Sequence, residues 1–163
     1  MARSQVRLFH NRIRFMITYI KGAITYRSPA FIVVEAGGIG YHVLISLNTY
    51  GKIKGLEKVQ IITHFHVKED SQTLYGFAEE SERVIFRHLI SVSGIGPATA
   101  QVLLSSMTPE DARMAIISED LNAFKKVKGT GPKTAKRVIL DLKDKMLKEG
   151  GDLQTTIAPS ADN

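Results

Sequence analysis

A nine-residue segment occurs twice in this chain at a constant offset of 35 residues: Val92-Ser-Gly-Ile-Gly-Pro-Ala-Thr-Ala100 and Val127-Lys-Gly-Thr-Gly-Pro-Lys-Thr-Ala135. Valine, both glycines, proline, threonine and the final alanine are identical. Each copy follows a short helical pattern and opens a longer one, so each reads as a helix–hairpin–helix. The glycines let the backbone turn tightly and approach a ligand with no intervening side chain. Pro97 and Pro132 fix φ at the first position of a helix, where no hydrogen bond is lost. The free N–H groups there, at the positive helix end, suit a phosphate oxygen. A single Gly-x-Gly-Pro would be only a helix end followed by a new helix. Two copies in register point to DNA, gripped through its backbone without readout of bases. Side by side, two such hairpins hold both strands across the minor groove.

Charge distribution strengthens that reading. The chain has 163 residues and a formal charge of +6. Residues 1–15 carry Arg3, Arg7, Arg12 and Arg14 and no acid, and residues 125–148 carry nine Lys or Arg against Asp141 and Asp144. Outside residues 1–15 the chain sums to only +2, with +7 gathered in residues 125–148, so the second hairpin lies in a concentrated basic patch, the footprint of a nucleic-acid face. Its candidate contacts are Gly129, Gly131, Lys133, Thr134, Lys136 and Arg137; those of the first hairpin are Gly94, Gly96 and Thr99. Thr99 and Thr134 are each expected to offer a hydroxyl to a phosphate, and Lys133 a charge.

Composition narrows the chemistry. With no cysteine, disulfides, thiolate metal sites, iron–sulfur clusters and cysteine nucleophiles are excluded. No apolar run approaches the roughly 20 residues that span a bilayer. Gly129-Thr-Gly-Pro-Lys133-Thr134 superficially looks like a nucleotide-binding P-loop, but Pro132 and Val127 stand where that motif needs glycine. His64 and His66 alternate on one side of a presumed strand with no third ligand nearby, which favours ordinary strand residues over a metal site. Gly37-Gly-Ile-Gly40 fails dinucleotide spacing and reads as a turn. No catalytic residue, metal or cofactor is expected.

The organisation is α+β. Residues 1–15 read as a basic extension ahead of Met16. Within 16–79, five segments rich in Ile, Val, Tyr, Phe and Thr (Met16–Tyr26, Ala30–Glu35, Tyr41–Leu47, Val59–Val67 and Thr73–Phe77) alternate with turn material, including Asn48 to Gly55. They predict a five-stranded barrel of OB type. Residues 80–148 are helical in pattern, with starts at Thr108-Pro109-Glu110-Asp111 and Ser118-Glu119-Asp120. The last helix, from Pro132, aligns Ala135, Val138, Ile139, Leu142 and Met146 on one face. Residues 149–163 read as a flexible tail.

Beyond the hairpins, the segments Met16-Ile-Thr-Tyr-Ile-Lys-Gly22, Gly37-Gly-Ile-Gly-Tyr41, Thr63-His-Phe-His-Val-Lys-Glu-Asp70 and Leu74-Tyr-Gly-Phe77 resemble the RuvA family, DNA-binding subunits of a bacterial branch-migration machine. The likeness covers roughly 130 residues to Asp144. It implies an OB-fold, a tandem helix–hairpin–helix domain, and a homotetramer, one or two of which hold an open four-way (Holliday) junction. It further implies an ATP-driven RuvB-type motor and a RuvC-type resolvase as partners, with a cytoplasmic, nucleoid-associated location. Glu69 and Asp70 would form an acidic pin on a β-hairpin tip at the tetramer centre, with Lys68 beside them as a DNA contact. There their charge would repel phosphates and help part strands.

The match has departures. Ala98 stands where a lysine is common, Thr130 where an apolar residue is usual. The family's third, motor-contacting domain follows a linker near where this chain stops, so a fragment or shortened homologue with weak motor contact is expected. Two rival functions remain: a helix–hairpin–helix DNA glycosylase using Lys133, whose required downstream aspartate has Asp152 in the Gly-rich tail as its candidate, and a generic OB and hairpin adaptor for single-stranded DNA.

Overall fold

The structure, a computed structural model, describes residues 16–152. The expected extension over 1–15 and the tail past Asp152 lie outside the described residues. Five strands close a barrel in the order β1-β2-β3-β5-β4: β1 Tyr19–Arg27, β2 Phe31–Ala36, β3 Ile39–Ile45, β4 Lys58–Val67 and β5 Gln72–Phe77. All neighbours are antiparallel except β3 and β5, and β4 pairs back onto β1 to remove the open edges. Side-chain alternation sends Ile20, Ile32, Val34, Val43, Ile45, Ile61 and Leu74 into one interior. Gly37 and Gly38 make the two-residue turn between β2 and β3, with φ +60 and +79.

One expectation fails inside the barrel. Asn48 to Gly55, read as turn material, is largely taken up by helix α1, which runs Leu47–Ile53. Asn, Thr and Gly are poor helix formers, and tertiary contacts override them. Ser46 caps the helix by accepting from the Thr49 N–H at 3.0 Å. Thr49 and Ile53 are buried beneath it.

Five helices follow: α2 Glu80–Ile90, α3 Pro97–Ser106, α4 Pro109–Ile117, α5 Leu121–Lys125 and α6 Pro132–Asp152. α4 starts as its sequence predicts, with Thr108 and Asp111 forming a reciprocal capping box. At the next start the cap is Asp120, which accepts from Asn122 and Ala123; Ser118 ends α4 and Glu119 takes a left-handed φ of +59. α6 buries the predicted face, with Ala135, Val138 and Leu142 fully enclosed. It also continues through residues 149–152, which composition assigned to a tail. Glu149 accepts from His88 Nε2 at 2.9 Å, tying the last turns to α2.

The two layers share a core. Tyr75 and Phe77 of β5 belong to the helical cluster, their rings 5.1 and 5.0 Å from that of Phe86 on α2. Beside them, fully buried Glu82 accepts from the hydroxyls of Ser46 and Thr49. Arg83 donates to the Thr18 and Thr63 carbonyls at 3.0 Å each and pairs with Glu80. α2 is therefore bonded to β4, the strand leading to the 68–71 turn.

Burial and nearby Arg87, His66 and Arg83 lower the His64 pKa to about 4. Its Nδ1 accepts from Arg87 Nε at 3.5 Å, a bond only the unprotonated nitrogen makes. The unfolded chain thus binds a proton near pH 6.5 while the native state resists it until about 4. This contribution to stability is complete above pH 6.5 and drains away toward pH 4. Glu82, whose pKa burial raises, works oppositely, its contribution growing as pH falls. The His64→Gln variant should accordingly lose less stability than the parent between pH 7 and 5, measured by urea midpoints; parallel losses would contradict this origin.

Candidate nucleic-acid interface

The six identities of the repeat each have a physical role. Val92 and Val127, like Ala100 and Ala135, sit in the helical core. Gly94 and Gly129 adopt φ +94 and +91, left-handed values that cost other residues about 1–2 kcal/mol. Gly96 is the N-cap of α3, with φ −86, ψ 171 and no side-chain capping bond. Its carbonyl accepts from Ala100 at 3.0 Å, and that of Gly131 from Ala135 at 2.9 Å. Proline then occupies the first helical position in both copies. The hairpin bonds repeat as well: Ile95 N–H to Val92 and Thr130 N–H to Val127, both at 3.1 Å.

This geometry presents the N–H groups of Ala98 and Thr99, and of Lys133 and Thr134, at helix starts with no side-chain cap among the described residues. A methyl group placed on Gly96 or Gly131 would meet none of the described residues within 4 Å, so among these the approach to each start is open. Lys128, Lys133, Lys136 and Arg137 are exposed around the second hairpin, whereas Ser93, Ala98, Gln101 and Val102 hold the equivalent positions of the first. The first copy offers backbone donors, the second donors and cations.

The remaining predicted residues lie as follows. Lys68, Glu69 and Asp70 occupy the exposed turn between β4 and β5, closed by the Lys68 N–H donating to the Ser71 carbonyl at 2.8 Å. Neither carboxylate has an ion-pair partner among the described residues. Arg137 reaches back from α6 to donate to the Ser93 carbonyl, in the other hairpin, at 3.2 Å. Thr99 and Thr134 are half-buried, each beside the opposite loop: Thr134 Oγ1 lies 3.7 Å from where a Gly94 Cβ would be, Thr99 Oγ1 3.6 Å from that of Gly129. Sequence reasoning missed this crossing, although the identity of the two threonines was its visible signal.

Thr130 departs from the pattern in a second way. It fills the core position that Ile95 fills in the first copy, 5% against 4% exposed, and its buried hydroxyl has no hydrogen-bond partner among the described residues. As for rival chemistry, Lys133 and Asp152 stand at opposite ends of α6, separated by about 28 Å of helix, so they do not form one site. No group of three or more potential metal ligands occurs among the described residues. No helix there is long and apolar enough to cross a membrane.

Two family descriptions match: the RuvA N terminal domain over residues 16–76, and a SAM-like helix-hairpin-helix tandem over 86–144. Among similar proteins is the "Holliday junction branch migration complex subunit RuvA" of Christiangramia forsetii, 53% identical over 91% of this chain and 77% of the relative. The proteins of the same name from Cytophaga hutchinsonii and Flavobacterium psychrophilum are 53% and 47% identical, covering 82% and 91% of this chain and 67% and 77% of their own lengths.

Two stability tests follow from the loop geometry. Thr130→Val removes an unpaired buried hydroxyl at constant shape and should raise stability by about 1 kcal/mol in urea titration; a loss would mean the hydroxyl is satisfied. Gly94→Ser should cost about 1 kcal/mol or more, whereas Gly96→Ser, in an extended N-cap conformation, should be neutral or stabilising. Equal costs at the two positions would contradict the φ assignment.

Proposed function

This chain belongs to the RuvA family, and from that footing we propose that it binds four-way DNA junctions as a non-catalytic scaffold for branch migration. The observation that carries the reading is the duplicated helix start: two uncapped sets of N–H groups on matching glycine loops, one ringed by lysines. Phosphates on the two strands flanking a minor groove are the ligands such a pair fits. Backbone contacts of this kind bind any sequence and weaken steeply with salt.

The acidic turn supplies what the hairpins lack, a preference for the crossover. In a tetramer of this chain, the Glu69 and Asp70 tips meet where four arms converge. Their carboxylates oppose any duplex lying across the centre and favour the open, unstacked junction. The work of migration then falls to a partner ATPase of RuvB type, and resolution to a RuvC-type nuclease; this chain supplies DNA geometry and no bond-making chemistry.

Competition among a four-way junction, a linear duplex and single-stranded DNA at two salt concentrations, with solution mass measured alongside, tests the proposal. The junction should win by tenfold or more and the mass should be that of a tetramer or octamer. Equal affinity for junction and duplex would refute it, and preference for single strands would favour an OB-type adaptor instead. Within this reading, Glu69→Gln with Asp70→Asn should tighten junction binding several-fold while reducing the unstacking of bases at the crossover, followed by 2-aminopurine fluorescence. No change in either would remove the electrostatic role of the turn.

A further inference from the structure

The two hairpins are not independent modules joined by a linker. Thr134, at the start of α6, lies over the loop of the first hairpin: a Cβ on Gly94 would meet its Oγ1 at 3.7 Å and its Cγ2 at 4.0 Å. Thr99, at the start of α3, lies over the loop of the second: a Cβ on Gly129 would meet its Oγ1 at 3.6 Å and Cγ2 at 3.7 Å. Both threonines are half-buried. Each therefore faces the bare side of the left-handed glycine in the opposite copy. Arg137 adds a further bond in the same sense, from α6 to the Ser93 carbonyl of the first loop. Its counterpart 35 residues earlier is Val102, so this brace runs one way only, toward the hairpin that has Ala98 in place of a lysine.

We infer that Thr99 and Thr134 are crosswise positioning residues, each fixing the loop of the other hairpin so that the two sets of backbone donors meet both DNA strands at one fixed separation. The inference rests on the DNA-binding reading above and assigns the threonines a role other than donating to phosphate. The physical case is one of shape. The left-handed glycine of each loop has no side chain of its own to pack, so its φ is held by its neighbours and by what surrounds it. Ile95 and Thr130 anchor the inner side of each loop in the core. The threonine from the other copy covers the next side, leaving the donors free to face outward. Because the contacts are reciprocal, displacement of one helix start moves the opposite loop. A pair of donors spanning a groove tolerates little such error, since a shift on one side leaves one strand unheld.

The chain contains no cysteine, so each loop can be reported separately. Single Ser93→Cys or Lys128→Cys variants of the full chain, labelled with a photoactivated cross-linker, are irradiated on a synthetic four-way junction. Thr134→Ala should lower cross-linking from position 93 by about threefold or more while leaving position 128 within about twofold, and Thr99→Ala should do the reverse. Thr→Val, which keeps the shape and removes the hydroxyl, should restore the parental yield in both cases. A residue that served stability alone would lower the thermal midpoint, measured in parallel, and would reduce cross-linking from both positions together. Loss at the hairpin that carries the substitution, equal loss at both, or no loss at either overturns the inference. So does rescue by Ser but not by Val, the signature of a hydroxyl on phosphate. Parental protein that cross-links from neither position would instead refute the DNA-binding reading itself.

Discussion

A helix start leaves backbone N–H groups without partners, and almost everything distinctive in this chain serves to expose two such starts without letting them move. Side-chain caps would satisfy those groups, and glycine at the cap position of α3 withholds one. A loop that turns this sharply needs a left-handed residue, which Gly94 and Gly129 provide. Proline sets the first helical φ without using a donor. Core valine and alanine on either side fasten the loop to its helices, and each threonine lies beside the glycine loop of the opposite copy. Six identities in nine residues thus express one requirement: donors that are unsatisfied yet rigid.

The barrel extends that rigidity to the acidic turn. Arg83 bonds α2 to the Thr63 carbonyl on β4, and Glu82 bonds it to the start of α1. The aromatic cluster of Tyr75, Phe77 and Phe86 fills the space between. β4 and β5 run directly from this junction of layers to Lys68–Ser71. The proposed repulsion of DNA by the carboxylate pair gains nothing from a loose arm, because it is screened within about 8–10 Å. Buried ionic groups at the layer boundary are costly to leave unpaired, and here each has its partners.

Much of this was legible in the residues. The repeat announced both hairpins, runs rich in Ile, Val, Tyr, Phe and Thr announced the five strands, and Thr108-Pro109-Glu110-Asp111 announced the start of α4. Helix α1 was not legible, because Leu47-Asn-Thr-Tyr-Gly-Lys-Ile53 has poor propensity and is held by Glu82, 29 residues beyond its end in sequence. The end of α6 was missed for a similar reason: Gly150 and Gly151 suggest a tail, while the Glu149 contact with His88 holds the turn before them. Thr99 and Thr134 stand out in the sequence as a matched pair, but each lies beside the glycine loop of the opposite copy. Spacing along the chain carries no information about contacts across a pseudo-symmetric axis. The orphaned hydroxyl of Thr130 likewise appears only once its surroundings are known to be apolar.

Hydroxyl-radical footprinting of a four-way junction bound by the unmodified protein tests the central claim most directly. Two rigid, coupled hairpins predict paired protections on each arm, one on each strand facing the same minor groove, appearing together as protein is added. Protection of one strand alone, or paired sites that fill at different protein concentrations, would contradict a unit that holds both strands at once.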